Sequence, residues 1–268
     1  GVSSAASDCY KGQVYDRAHI LRDQFTIKRD GGENLRIRFL DCNEWCQNEY
    51  QVTHQVNMAG RRKTRYDVTI LVNGLPLVQI ELKRRGVELK EAFHQINRYK
   101  RDSYDAGFGL FQYVQLFVVS NGVNTKYYSN NLKVSFEQTF YWTDVDNQRL
   151  SDLHDFAAAF LKPCHVSKMM THYTVLGTDK VIRVLRPYQF YAVERMIEQV
   201  AGSDDNAYIW HTTGSGKTLT SFKASQIIQN MPKVHKVLFV VDRKDLDYQT
   251  AREFNAFAKD SVDETTNT

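Results

Sequence analysis

Two carboxylates and an amine at fixed spacing are the first groups in this sequence with the means to do chemistry together. Asp67 lies in the β-rich run Arg65–Val72, and Glu81-Leu82-Lys83 ends a second run that begins at Leu75, with Asn73-Gly74 between them. Two such runs around an Asn-Gly step spell a hairpin. Residues two apart on a strand share a face, so Glu81 and Lys83 project together while Val78, Ile80 and Leu82 face the other side. Two carboxylates can hold Mg²⁺ against a phosphodiester, and an amine can position the attacking water and neutralise developing charge. Asp67 meets Glu81 only if the loop is the three residues Asn73-Gly74-Leu75, with Gly74 left-handed. A two-residue turn is expected to set Asp67 against Ile80, on the wrong face. An exposed hairpin with salt-bridged charges is the alternative reading of these residues.

A second group binds phosphate. His211-Thr212-Thr213-Gly214-Ser215-Gly216-Lys217-Thr218 has the spacing of a Walker A loop, with histidine where glycine or alanine usually stands. Gly214 and Gly216 let the backbone curl so that successive N–H groups face phosphate oxygens, and the following helix adds its positive end. Lys217 is expected to reach the β/γ-phosphates and Thr218 to hold Mg²⁺, with the cofactor ATP. A glycine-rich turn without function is the alternative.

These groups need a scaffold. The pattern predicts helices over 14–25 and 44–56, a short strand over 35–40, the hairpin, and a helix over 90–104. It continues with a strand over 113–120, more sheet at 126–128, and a helix over 150–161 ended by Pro163. A second pattern follows: a helix from Arg186 to 200, a buried strand over 207–211, a helix over 218–229 and a buried strand over 236–241. Strands alternating with helices place the chain in the α/β class. The change of pattern divides the chain near residue 166, into 1–166 and 167–268.

Composition narrows the class. The chain has 268 residues, 42% of them hydrophobic, and a net charge of +4, so it is neither disordered nor fibrous. No apolar run approaches the ~18 to 20 residues of a membrane span, and the first residues carry no secretory signal pattern. From Arg61 to Arg101 there are 11 basic and 4 acidic residues, a basic strip of the kind that binds a phosphate backbone or forms a solvated face. Arg84 and Arg85 lie in it. The four cysteines, Cys9, Cys42, Cys46 and Cys164, lack a disulfide or zinc pattern, so reduced cytoplasmic thiols are expected.

Several segments resemble known motifs. Leu185-Arg186-Pro187-Tyr188-Gln189 resembles the Q-tip motif of superfamily 2 helicases, which implies that Gln189 reads adenine through its amide. Val240 to Gln249 resembles helicase motif Ia rather than a Walker B strand, because Arg243 follows Asp242 where a catalytic glutamate belongs. That implies Arg243, Lys244 and Gln249 on the DNA backbone; a helix capped by Asp242 is the alternative. The hairpin resembles the PD-(D/E)xK nuclease core, with Tyr66-Asp67 in place of Pro-Asp, and Gln95 and Tyr99 match the QxxxY motif of nucleases fused to helicases.

Together, Arg65 to Lys83 and Trp210 to Thr218 resemble the R (motor and endonuclease) subunit of type I restriction enzymes, a family whose loop begins with histidine. The resemblance spans roughly Tyr66 to Gln249. It implies a PD-(D/E)xK endonuclease domain over 1–166, a mixed sheet flanked by helices and expected to be incomplete at its N-terminus, followed over 167–268 by a linker and the beginning of an incomplete RecA-like superfamily 2 helicase/ATPase domain. It also implies ATP-driven translocation of double-stranded DNA, Mg²⁺-dependent cleavage, and assembly with modification (M) and specificity (S) subunits. Such subunits are much longer, so a fragment lacking ATP hydrolysis is expected. A stand-alone P-loop NTPase and a noncatalytic DNA-binding or assembly module are the rival readings.

Overall fold

The structure, a computed structural model, describes residues 14–23, 25–28, 32–58, 64–100, 109–241 and 244–262. Within it the chain forms two units, Gly1–Thr171 and His172–Thr268.

Among the described residues the first element of the first unit is a helix over residues 14–22, α1. A small antiparallel ladder follows, β1 (Phe25–Lys28) with β2 (Asn34–Ile37). The helix expected over 44–56 does not form: Trp45–Gln47 make one 3₁₀ turn, and Tyr50–Met58 is strand β3. Its alternation of β-branched and polar residues suits a sheet edge, and β3 pairs antiparallel with β4 (Thr64–Val72). Next come β5 (Leu75–Leu82), helix α2 (Leu89–Tyr99), β6 (Leu116–Ser120) and β7 (Thr125–Ser129). The sheet runs β3-β4-β5-β6-β7, antiparallel throughout except for β5 beside β6. A parallel pair needs a long crossover, and the segment carrying α2 supplies it.

Central β5 is buried on both faces from Leu77 to Glu81. Ala92, Phe93 and Ile96 of α2 supply cover on one face. The aromatic rings of β7 show how the two faces are used. Tyr128 packs on Phe93 of α2, at 5.1 Å between ring centres, whereas Tyr127 stacks at 5.0 Å on Phe160. Phe160 belongs to α3 (Leu153–Phe160), which follows the short ladder of β8 (Trp142–Thr143) and β9 (Arg149–Leu150). Asp152 caps α3 through the amide of His154 at 2.8 Å. Pro163 opens α4 (Pro163–Thr171), so it starts a helix as well as following one, in keeping with the tolerance for proline in a first turn.

The expectation of reduced thiols fails at one pair. Cys46 and Cys164 are joined in a disulfide across 118 residues, their Cα atoms 4.7 Å apart, while Cys42 is free. The 3₁₀ turn and α4 bring the sulfurs together, and Tyr50 Oη donates to Ser167 Oγ at 2.6 Å beside them. Sequence spacing says nothing of such a meeting. Cys9 lies outside the described residues.

The second unit contains the hairpin of β10 (Thr174–Leu176) and β11 (Ile182–Val184), and helices α5 (Pro187–Gly202), α6 (Lys217–Ile228) and α7 (Lys244–Phe257). Val175, Phe222 and Phe254 form one of its hydrophobic clusters, and Leu185 and Val193 are fully buried as well. The strands expected over 207–211 and 236–241 are not formed among the described residues. A parallel strand takes its hydrogen bonds from neighbours distant in sequence, and neither run has such a neighbour there. Trp210 and Val240 are each 88% exposed.

Candidate nuclease and phosphate-loop sites

The hairpin reaches the expected pairing by an unexpected route. Its turn is the two residues Asn73-Gly74, at φ 51° and 78°, the left-handed pair of a type I′ turn. Val72 therefore faces Leu75 and Leu71 faces Pro76. A bulge then inserts Leu77, so that Ile70 faces Val78 and Val68 faces Ile80. The three-residue loop is thus corrected to a two-residue turn, and the bulge restores the register that sets Asp67 across from Glu81. One displaced residue decides the face of every later side chain.

Asp67, on β4, accepts the amide of Leu82 through Oδ2 at 2.8 Å. The Glu81 side chain is fully buried, and Lys83 Nζ donates to its Oε1 at 3.3 Å. Burial first, and then the negative Asp67, push the Glu81 carboxyl up to about 8 against the opposing pull of Lys83. Its Oε2 has no hydrogen-bond partner among the described residues. Lys83 continues the ladder, its amide on Ser120 O at 2.8 Å, and its ammonium also donates to Gln95 Oε1. Gln95 Nε2 in turn bonds Tyr99 Oη, which donates to Arg65 O at 3.2 Å. The five residues form one continuous cluster.

Two carboxylates, one with an orphaned buried oxygen, fit a divalent cation. Among the described residues no group of three or more His, Cys, Asp or Glu side chains could hold a metal. Two protein carboxylates nevertheless match the sparse donor set of Mg²⁺, which keeps waters and substrate phosphates as its other ligands. Arg84 and Arg85 stand exposed directly after Lys83.

Sequence reasoning missed two features here. Tyr66, fully buried, sets its ring edge-on to Tyr99 at 5.2 Å and so braces the end of the cluster. Gln55, across β3 from Asp67 in the β3–β4 register, takes φ 54° inside a strand. No residue type signals that strain.

In the second unit, Gly214 and Gly216 hold φ 77° and 78°, and Gly216 is the N-cap of α6 with no side chain bonded to the helix end. Nothing stands within 4 Å of where a Cβ on Gly214 would lie. An open, amide-lined turn at a helix N-terminus fits a phosphate chain. Lys217 Nζ donates back to Thr212 O at 2.9 Å, as does Ser215 Oγ at 2.8 Å. Thr213 is exposed and Thr218 half-buried. Burial and the Lys217 charge depress the His211 imidazole.

Gln189 is buried beneath the loop rather than open to a base. Its Nε2 donates to Ser215 O at 3.2 Å and Gly216 O at 3.4 Å, and its Oε1 accepts the Arg186 amide at 3.0 Å. Reading adenine requires those bonds to be exchanged. Tyr188 Oη donates to Ser215 O at 2.7 Å, a brace signalled only by its place beside Gln189. Asp242 and Arg243 lie outside the described residues, and Lys244 is placed only as the first residue of α7.

The two units answer to two family descriptions. "Type I restriction enzyme R protein N terminus" matches residues 5–134 and "SWI2/SNF2 ATPase" matches residues 188–268. This is the class of chains that join a restriction-subunit domain to an ATPase region. The chain is 52% identical over 257 residues to the endonuclease subunit of a type I restriction enzyme of Staphylococcus saprophyticus, covering 95% of this chain and 27% of that protein. A subunit of the same description from Staphylococcus aureus is 51% identical over the same length, with the same coverage. One from Escherichia coli is 42% identical over 195 residues, which are 71% of this chain and 62% of that one. The chain belongs to the type I restriction enzyme R-subunit family and corresponds to its N-terminal part. It spans about a quarter of the length of the staphylococcal relatives. Among the described residues no helix is long and apolar enough to cross a membrane.

Proposed function

We propose that this chain carries the Mg²⁺-dependent site for cleavage of double-stranded DNA in its first unit, and the opening of a RecA-like, ATP-driven DNA translocase in its second. It acts as part of a type I restriction enzyme, with modification and specificity subunits as partners. The observation that carries the reading is the cluster from Asp67 and Glu81 through Lys83 to Gln95 and Tyr99, in which a buried carboxylate has an oxygen to spare.

Asp67 and Glu81 hold the cation, which when bound polarises the scissile phosphate. Lys83 orients the attacking water and offsets the charge that develops on the phosphate. Gln95 aims the ammonium, and Tyr99 fixes the Gln95 amide. Arg84 and Arg85 steady the DNA backbone beside the cut. In the second unit the amides of Gly214 to Thr218 cradle the nucleotide phosphates, with Thr213 and Ser215 on the curl, Lys217 on the outer phosphates and Thr218 toward Mg²⁺. Gln189 reads adenine, while Arg243 and Lys244 follow the DNA. The exposed runs around Trp210 and Val240 suit the interior of a larger parallel sheet.

The test uses the complete enzyme with its M and S subunits. Lys83→Ala should abolish cleavage and leave ATP-driven translocation intact, while Lys217→Ala should stop both. ATPase activity lost in Lys83→Ala with cleavage retained would reverse the assigned roles.

A further inference from the structure

At the first turn of α2, beside the β6–β7 turn, the first unit contains an open cavity of about 500 Å³ that nothing in the proposed cleavage or ATP chemistry uses. Its walls include Lys126 of β7, Tyr141, Phe136 and the first turn of α2. The Lys126 ammonium sits over the Phe136 ring at 4.7 Å and the Tyr141 ring at 4.9 Å. The Arg149 guanidinium lies over the same Tyr141 ring at 4.3 Å.

Two like charges thus share one aromatic ring. Among the described residues neither Lys126 nor Arg149 has a carboxylate within ion-pair distance, and Glu88, the acid on the wall, bonds neither of them. Burial and the neighbouring Arg149 both disfavour the Lys126 charge. The rings account for part of the compensation, since a cation over an aromatic face gains about 0.5 to 2 kcal/mol. They leave the mutual repulsion in place. An anion in the cavity would relieve it. On the rim Asn124 Oδ1 accepts from Tyr141 Oη at 3.1 Å, which orients the ring that both cations share.

We infer that this cavity is a phosphate-binding subsite, with Lys126 on its wall as one cationic ligand, Arg149 beside it on the Tyr141 ring as the second, and Lys90 a further cation on the wall. Position favours a phosphate of a DNA strand. Glu81 pairs with Val119 and Val119 with Lys126, so both side chains leave the same face of the sheet, two strand spacings apart. That is roughly 10 Å, about three nucleotides of rise along one strand. The subsite would then hold the strand on the flank of the cut. The choice of strand rests on the proposed nuclease reading; the phosphate chemistry does not.

The test measures binding by the 268-residue chain in metal-free buffer, where no cleavage intervenes. The probes are a short fluorescein-labelled DNA duplex, followed by anisotropy over a range of salt, and inorganic phosphate, followed by calorimetry. Arg149→Gln and Lys126→Gln are each expected to weaken duplex binding about tenfold and to lower the salt slope by about one. Arg149→Lys should recover most of the loss. Arg149 is exposed, so its variant tests the idea even if Lys126→Gln unfolds. Loss toward the duplex alone identifies a strand phosphate, and equal loss toward inorganic phosphate identifies a free one. Unchanged affinity and salt slope in both variants, with phosphate binding unaltered or absent, would overturn the inference. A failed nuclease reading shows elsewhere, as cleavage by the complete enzyme that survives Lys83→Ala.

Discussion

Replacing Glu81 by Gln removes a charge that the fold holds against its preference, so the metal-free chain should become more stable, and more so as pH rises. The Glu81 carboxyl titrates at about 8 in the folded chain against an ordinary value of 4.5, because it is buried and faces Asp67. A raised carboxyl binds more protons folded than unfolded. Stability is therefore undiminished below the ordinary value and falls as pH rises from there through the folded value. Linkage puts the loss at about 1 kcal/mol at pH 5, about 3 at pH 7 and nearly 5 at pH 9, as upper bounds. Gln keeps the shape and does not titrate. Urea unfolding of both proteins from pH 5 to 9 should show wild type falling away from Glu81→Gln by up to about 4 kcal/mol. Millimolar Mg²⁺ should flatten the wild-type curve and leave the variant unmoved, because the cation binds the ionised carboxylate and displaces its proton. Curves that run parallel within about 1 kcal/mol would refute the claim that the fold suppresses this charge. A variant that gained as much from Mg²⁺ as wild type would refute Glu81 as a ligand.

The remaining expectations follow from single contacts. Gln95→Ala frees the Lys83 ammonium from its orienting amide, so cleavage by the complete enzyme should fall by about 10 to 100-fold, as for other groups that aim a catalytic ligand. Tyr99→Phe should have a smaller effect in the same direction, and ATPase rates measured alongside should not change. Gly216→Ala forces a Cβ to 2.7 Å from Gln189 Nε2 at φ 78°, so the second unit should lose about 1 to 3 kcal/mol in thermal melts, together with ATP affinity by calorimetry. Asn73→Ala removes the acceptor of the Glu49 amide at 2.7 Å and the donor to Phe39 O and Asn48 Oδ1 at 2.8 Å. It also leaves alanine at φ 51°, so a loss of about 2 to 3 kcal/mol in urea is expected.

Local chemistry was legible in the sequence wherever a few adjacent residues suffice. Asn73-Gly74 announces a left-handed turn, Gly214 to Lys217 a glycine turn leading into a helix, and the spacing of Gln95 and Tyr99 a shared helix face, because each depends on backbone preferences within a turn or two. The same residues could not reveal which partner each would meet. The turn length implied one register and the Leu77 bulge produced another, since a bulge is settled by how both strands pack in the sheet. Residues 44–56 have an apolar spacing that suits a helix, yet Tyr50–Met58 is a strand because β4 offers a ladder to join. Burial of Glu81, the brace of Tyr66, the strain at Gln55 and the Cys46–Cys164 bond all arise from segments far apart in the chain. Sequence by itself determined which groups were present and how they were spaced. Only the tertiary structure decided which charge lost its water and beside which neighbour, and that is what separates a buried carboxylate with a raised pKa from a solvated salt bridge.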